Sequence, residues 1–279
     1  MRIFKLLLKL LIWIYGAFKK TFLFQSLWFR KFIFLPVYFA YKHFFEDPFY
    51  ALSKKYPELF LYGNILDIGA NVGYNTIIFS KIITPNYKVF AFEPDSSNFF
   101  ILREAIKLYK ADKNVVLHNI AVSDKDGTIK LWRNETNHAD NKTITAEYEK
   151  RLTTEDNIFA IPSISIDSFL KKYEIATRIK FIKIDVQGYE LPVLCGMEEM
   201  LLKNPDALSA VEYSPKDLFE LGFCPRELLQ YIRNKNYFIY IIHRNGNLEI
   251  ADDDLIERRA KLRGYIDLLC SKKMLVLKN

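Results

Sequence analysis

Cysteine is scarce in this chain: three residues, Cys195, Cys224 and Cys270, lie far apart among 279. No CxxC pair and no metal-ligand spacing occurs, which excludes a disulfide framework and a zinc ribbon and suits a reducing, cytoplasmic compartment. Two nucleotide signatures are also missing. There is no GxGxxG dinucleotide fingerprint, and no glycine-rich phosphate loop ending in Lys-Ser or Lys-Thr. Acids are missing from the first 45 positions, the first being Glu46, while the same stretch carries eight Lys and Arg residues. The remainder holds thirty-two bases against thirty-three acids, so the net charge of +7 belongs to a basic N-terminal segment on a nearly neutral body. A nucleic-acid-binding enzyme would spread its bases over the body, and no nucleic-acid partner is expected. Long apolar runs are lacking too. Leu10–Phe18 and Thr21–Phe29 are charge-free for nine residues each, and Phe32–Tyr41 is interrupted by Pro36. A spanning helix needs about 20 mostly apolar residues. Lys9 breaks the first apolar run and no small-x-small cleavage site follows, which argues against a signal peptide.

What the first 45 residues do contain is aromatic: 15 of the chain's 43 aromatic side chains. Wound as a helix, residues 1–20 place Arg2, Lys5, Lys9, Lys19 and Lys20 within an arc of roughly 100°. Leucine, isoleucine and phenylalanine take most of the remaining surface, with Ile12 the exception inside the basic stripe. This is the pattern of a helix lying in a membrane interface, bases toward anionic headgroups. Residues 1–45 are therefore expected to be an amphipathic membrane-interface segment, with packing on the body or a partner, or a signal anchor, as the alternatives. Residues 46–279 are expected to form one domain, peripherally held at the membrane.

From about residue 60 the pattern alternates. Strands are expected at Ile65–Ile68, Lys88–Phe92, Val115–Ala121, Thr128–Trp132, Ile161–Ile166, Phe181–Val186, Ala207–Tyr213, Tyr237–His243 and Met274–Leu277. Helices are expected at Val72–Ile83, Ser96–Tyr109 with Asp95 as N-cap, Asp167–Tyr173, Glu190–Leu202 and Pro225–Lys235. Asp126-Gly127 reads as a hairpin turn, and residues 133–160 as a polar excursion near a substrate site. Alternating strand and helix means an α/β fold with a mostly parallel sheet, whose ligands bind at the carboxyl ends of the strands.

The residues just after the strands carry the chemistry. The first strand runs into Asp67-Ile-Gly69-Ala70-Asn71-Val-Gly73, a turn whose glycines permit close backbone approach. An acid before the first glycine repels phosphate and suits a cationic ligand, such as a sulfonium bearing an ammonium. Glu93 follows the second strand, where a carboxylate accepts both hydrogen bonds of a ribose diol. Asp67 and Glu93 together argue for a nucleoside without phosphate. Asp185, Glu212 and His243 follow later strands and are candidate catalytic groups, each able to take a proton from an acceptor or, with others, to hold a divalent metal. No spacing requires a metal.

"LDIGANVGYNT", "VFAFEPD", "NIAVSDKDGT" and "IKIDVQGYELPVLCGM" resemble the FkbM-type S-adenosylmethionine-dependent methyltransferases over roughly residues 60–245. The family usually has Glu where this chain has Gln187. The resemblance implies a Rossmann-like class I methyltransferase fold, with a seven-stranded sheet whose last strand is antiparallel. It places the methionine moiety of S-adenosylmethionine at Asp67, Gly69 and Asn71, within a turn that includes Ala70 and Gly73. It puts the ribose at Glu93, and Asn119 and Ala121 near the adenine. Asp185 would face the methyl group. The implied activity is O-methylation; with the basic, aromatic N-terminus, which lies outside the resemblance, the expected acceptor is a sugar, glycan or glycolipid at a membrane surface. A soluble small-molecule acceptor, or a non-catalytic membrane scaffold with this fold, are the alternatives.

Overall fold

The computed structural model describes residues 30–134, 141–152, 157–175 and 178–276. Its strands are β1 (Asn64–Ile68), β2 (Val89–Phe92), β3 (Val115–His118), β4 (Ala121–Val122), β5 (Gly127–Trp132), β6 (Lys142–Thr143), β7 (Ile158–Ile164), β8 (Ile179–Ile184), β9 (Leu208–Tyr213), β10 (Phe238–Ile242), β11 (Leu248–Ile250) and β12 (Ile266–Ser271). Eight of them form one sheet in the order β11-β10-β12-β9-β8-β1-β2-β3. The five strands from β9 to β3 are parallel, and β12 runs antiparallel to both β9 and β10. The expected seven strands are all of this sheet but β11, which Asn245-Gly246 turns back onto β10.

Every residue of β1 is buried, as a strand covered on both faces must be. Its side chains alternate between two cores. Ile65 faces a core built on Phe49, Phe60, Phe79 and Phe181, in which the Phe60 and Phe181 rings sit 4.4 Å apart. Leu66 and Ile68 face the other core, with Phe169, Val193, Leu228 and Ile256. Strand order reverses at β1, between β2 on one side and β8 on the other, and this opens a crevice at their carboxyl ends.

Residues 30–46 are helical throughout, with π-helical turns at Arg30–Phe34 and Lys42–Glu46 flanking the helix Leu35–Tyr41. Pro36 does not interrupt this segment. It sits in the helix's first turn, where proline's missing N–H costs little. Leu35 and Phe39 are buried, and Phe39 packs on Tyr74 and Tyr109 at ring distances of 5.4 and 5.3 Å. The basic helical stripe expected over residues 1–20 lies outside the described residues.

Several local expectations are corrected. The third strand ends at His118, and Ala121 belongs instead to a second sheet of order β4-β7-β5-β6. Asp126-Gly127 is not a hairpin turn: β4 and β5 each pair with β7, and Asp126 Oδ1 accepts from the Ser165 N–H at 2.9 Å. The helix expected over Glu190–Leu202 is two, Glu190–Cys195 and Glu198–Lys203. It breaks at Gly196, whose carbonyl accepts from the Asp167 N–H. The last described strand is Ile266–Ser271; of the strand expected at Met274–Leu277, residues 274–276 form none, with Met274 and Val276 exposed, and Leu277 lies outside the described residues. Helices Pro215–Glu220 and Asp253–Arg263 were not expected. The second buries only Ile256 and Ala260, too thin a stripe to show as periodicity.

Candidate functional site

The turn after β1 lies against the turn after β8. Gly69 has φ +81°, and a Cβ there would fall 1.8 Å from the Asp185 carbonyl oxygen, so only glycine lets the two turns touch. The N–H groups of Gly69 and Ala70 donate to the Phe92 carbonyl at 3.0 and 2.9 Å, tying this turn to β2. Gly73, φ +93°, opens the helix Tyr74–Ile82 hard against Leu102, where a Cβ would meet Leu102 Cδ1 at 2.5 Å. Asn71 takes a left-handed φ of +50° and donates its N–H to Glu93 Oε2 at 2.8 Å. The Asp95 N–H donates to Glu93 Oε1 at 3.0 Å. Asn119 Nδ2 donates to the Glu93 and Pro94 carbonyls, fixing the backbone of that turn.

These turns enclose a cavity of ≈ 290 Å³, at the small end of ligand pockets. One end is lined by Glu93 and by apolar groups, among them Phe92, Ile120, Ala121 and Val122. The other end presents Asp185, Gln187 and Glu212, walled by Lys42, Glu46 and Tyr265. Asn141, Thr143 and Asp217 also line it, so the polar stretch after β5 does reach the cavity.

Of the residues singled out in the sequence, Gly69, Asn71, Glu93, Ala121, Asp185 and Glu212 come together in this lining. Ala70, Gly73 and Asn119 stand behind it as backbone supports. Asp67 is wholly buried and outside the lining: its Oδ2 accepts from Thr76 Oγ1 at 2.5 Å, and its Oδ1 accepts no hydrogen bond. His243 stands apart from the cavity, with Nε2 2.8 Å from Glu249 Oε2 on the β10–β11 hairpin. Among the described residues no group of three or more His, Cys, Asp or Glu side chains is placed to hold a metal ion.

Gln187, singled out only as a departure from the family pattern, proves central. Its Nε2 donates to Asp185 Oδ1 at 3.0 Å and to Glu212 Oε2 at 3.2 Å, using both amide protons to bridge two carboxylates. Lys183 Nζ lies 2.9 Å from Asp185 Oδ2 and pairs in register with Asp67 on β1. Burial opposes charge on Asp185, but Lys183, Lys42 and the Gln187 hydrogen bond outweigh it and hold the carboxyl below its usual range. Glu212 is pushed well above that range by burial and by Asp185, Glu190 and Asp267. The two shifts run in opposite directions, so Asp185 is the member of the pair that favours the ionised form and Glu212 the member that favours the proton. Glu190 Oε1 accepts the N–H groups of Val186 and Gly188, both at 3.1 Å, and so braces the turn that carries Asp185 and Gln187.

Burial pushes Glu93 up to about 8, against the opposing hydrogen bonds from Asp95 and Asn71. With its folded value raised, protonated Glu93 contributes stability that is complete below the ordinary carboxylate range and lost as pH rises through about 8. The thermal midpoint of the ligand-free protein is expected to fall between pH about 5 and about 9, and less steeply in Glu93→Gln. Equal slopes in scanning calorimetry would remove Glu93 as a source of the fall.

A family model described as the methyltransferase FkbM domain matches residues 67–239. Among curated proteins, the chain is 25% identical over 177 residues to Methyltransferase 1 of Beauveria bassiana, covering 59% of this chain and 69% of that one. It is 30% identical over 157 residues to the hexuronic acid methyltransferase AglP of Haloferax volcanii, covering 56% of this chain and 59% of that protein. Among solved structures, a crystal structure of methyltransferase FkbM from Methylobacillus flagellatus KT is similar with a TM-score of 0.49 and 17% identity, over 83% of this chain and 50% of that one. The family match spans more than half of the chain and includes both carboxylate-bearing ends of the cavity, and the chain belongs to the FkbM methyltransferase family.

Proposed function

We propose that this chain is an S-adenosylmethionine-dependent O-methyltransferase acting on a hydroxyl of a sugar, glycan or glycolipid at a membrane surface. One observation carries the reading: a single cavity has Glu93 at one end and the Asp185–Gln187–Glu212 group at the other. The residues present suit the cofactor. In its carboxylate form, each Glu93 oxygen accepts one backbone N–H and keeps a lone pair for a ribose hydroxyl. The Gly69–Asn71 turn offers close backbone approach for the methionine part, and Phe92, Ile120 and Ala121 offer an apolar bed for adenine. Bound S-adenosylmethionine supplies an electrophilic methyl group on a sulfonium, which departs as a neutral thioether and needs no acid.

What remains for the protein is alignment and removal of the acceptor proton. Ionised Asp185 takes that proton. Protonated Glu212 donates a hydrogen bond to an acceptor oxygen, and Gln187 holds the two carboxyls at a fixed spacing. Groups that both donate to and accept from hydroxyls line this end of the cavity, with Tyr265 and the Lys42–Glu46 ion pair beside Asp185, Gln187 and Glu212. Such a surface suits a polyol. The relative named as a hexuronic acid methyltransferase supports a sugar-derived acceptor. The basic, aromatic residues 1–45 support a membrane location. Calorimetric titration of the full chain with S-adenosylmethionine tests the cofactor assignment. One site per chain is expected, with affinity lost in Glu93→Ala; unchanged affinity in that variant would take Glu93 out of the ribose role.

A further inference from the structure

A second cavity, of ≈ 390 Å³, shares no lining residue with the first. It lies between the helical segment 30–46, the helix Phe49–Lys55 and the helix Tyr74–Ile82. Its walls are aromatic and aliphatic, with Phe39, Ile78 and Tyr109 among them, and no carboxylate lines it. Lys54 and Lys81 stand at its rim, exposed, each with its ammonium 5.7 Å from a tyrosine ring, those of Tyr50 and Tyr109. Neither lysine makes an ion pair among the described residues. Phe44 and Tyr50, also lining it, are 50% and 39% exposed, and Phe32 and Ile33 of the same helical segment are exposed as well.

We propose that this groove seats one anionic phospholipid of a bilayer, its acyl chain against the aromatic walls and its phosphate on Lys54 and Lys81. A small water-soluble anion would leave the apolar walls uncovered, and a neutral apolar ligand would leave both ammoniums without a counter-charge. An anionic lipid satisfies both. Charge also directs it there. Residues 1–29, which precede this segment in the sequence, carry five Lys and Arg and no acid, so a leaflet that attracts them would also attract Lys54 and Lys81. A single acyl chain or a basic patch alone gives only marginal attachment, whereas two signals together give a stable one. The inference rests on the membrane location proposed above and gives that location a specific lipid site.

Vesicle flotation of the full-length chain is the test, with phosphatidylcholine vesicles made with and without phosphatidylglycerol. Wild type is expected to float with the anionic vesicles only. Replacing both lysines, K54Q/K81Q, is expected to weaken that partition by about thirty-fold, at about five-fold for each base near an anionic surface. Phe44→Ser is expected to weaken it as well, while S-adenosylmethionine affinity stays at the wild-type value in both variants. Glycerol 3-phosphate is expected not to compete, which separates a lipid from a free phosphate. If wild type floats and K54Q/K81Q floats equally well, the groove is not the lipid site, and residues 1–29 alone hold the membrane. Full competition by glycerol 3-phosphate would overturn the acyl-chain part. No flotation of wild type would overturn the membrane location and this proposal together.

Discussion

Asp185→Asn is expected to lower methyl-transfer turnover by roughly 10²- to 10⁴-fold, the range for loss of a positioned general base. Affinity for S-adenosylmethionine should stay within a few-fold of wild type, because Glu93 and the Gly69–Asn71 turn follow other strands, β2 and β1. The reason is the proton inventory of the carboxylate pair. Burial and acidic neighbours push Glu212 well above the usual carboxylate range, so it keeps a proton more firmly than Asp185 and is the less available acceptor. Asp185 can take the proton, because Lys183 and Lys42 keep it charged despite its burial. Asparagine preserves the shape, and its amide still meets Gln187. It removes the member of the pair that favours the ionised form. Turnover measured by label transfer and affinity measured by calorimetry separate the two effects. Wild-type turnover in Asp185→Asn would assign proton removal to another group.

The second large effect falls on stability. Lys183→Met is expected to cost about 3–5 kcal/mol, the penalty for leaving buried charge without its partner. Lys183 is almost wholly buried on β8, bonded to Asp185 and paired in register with Asp67, whose Oδ1 accepts no hydrogen bond among the described residues. Burial already raises Asp67, with Lys183 as the chief opposing charge. Without that charge both aspartates favour protonation, so the loss should be greater at alkaline than at acidic pH. A domain is stable by only about 5–15 kcal/mol, and the variant should unfold at clearly lower urea. Adding Asp67→Asn removes one of the stranded charges, so the double variant should be less destabilised than Lys183→Met alone. A double variant no more stable than Lys183→Met would place the cost in lost packing rather than in charge.

The parts of the fold that could be read from the sequence are those whose signal is local. β1, β2 and β8 are buried on both faces, so they appear as unbroken apolar runs, and the residues that follow them are where ligands meet such sheets. Glu93, Asn71 and Asp185, singled out this way, line the cavity. Asp67 was placed at the cofactor because it precedes a glycine turn. Its side chain instead follows the strand's alternation to Thr76, where its charge supports Lys183 rather than a ligand. His243 ends a strand, but its hairpin partner Glu249 claims the ring. Lys42, Tyr265 and Asn141 are brought to the cavity from three distant stretches by tertiary packing, and no local pattern marks them. Gln187 did carry a signal, since it stands where the family usually has Glu. An amide there bridges two carboxylates, where a third carboxylate would repel both.

The central claim is that this cavity moves a methyl group onto a sugar hydroxyl. The most direct measurement incubates the full-length protein with methyl-labelled S-adenosylmethionine and glycan and glycolipid extracts, then locates the label by mass spectrometry. The account predicts label on a hydroxyl oxygen of a sugar unit, present with wild type and almost absent with Asp185→Asn. Label on a nitrogen or a carboxylate, or no label in either extract from protein that binds the cofactor, would contradict it.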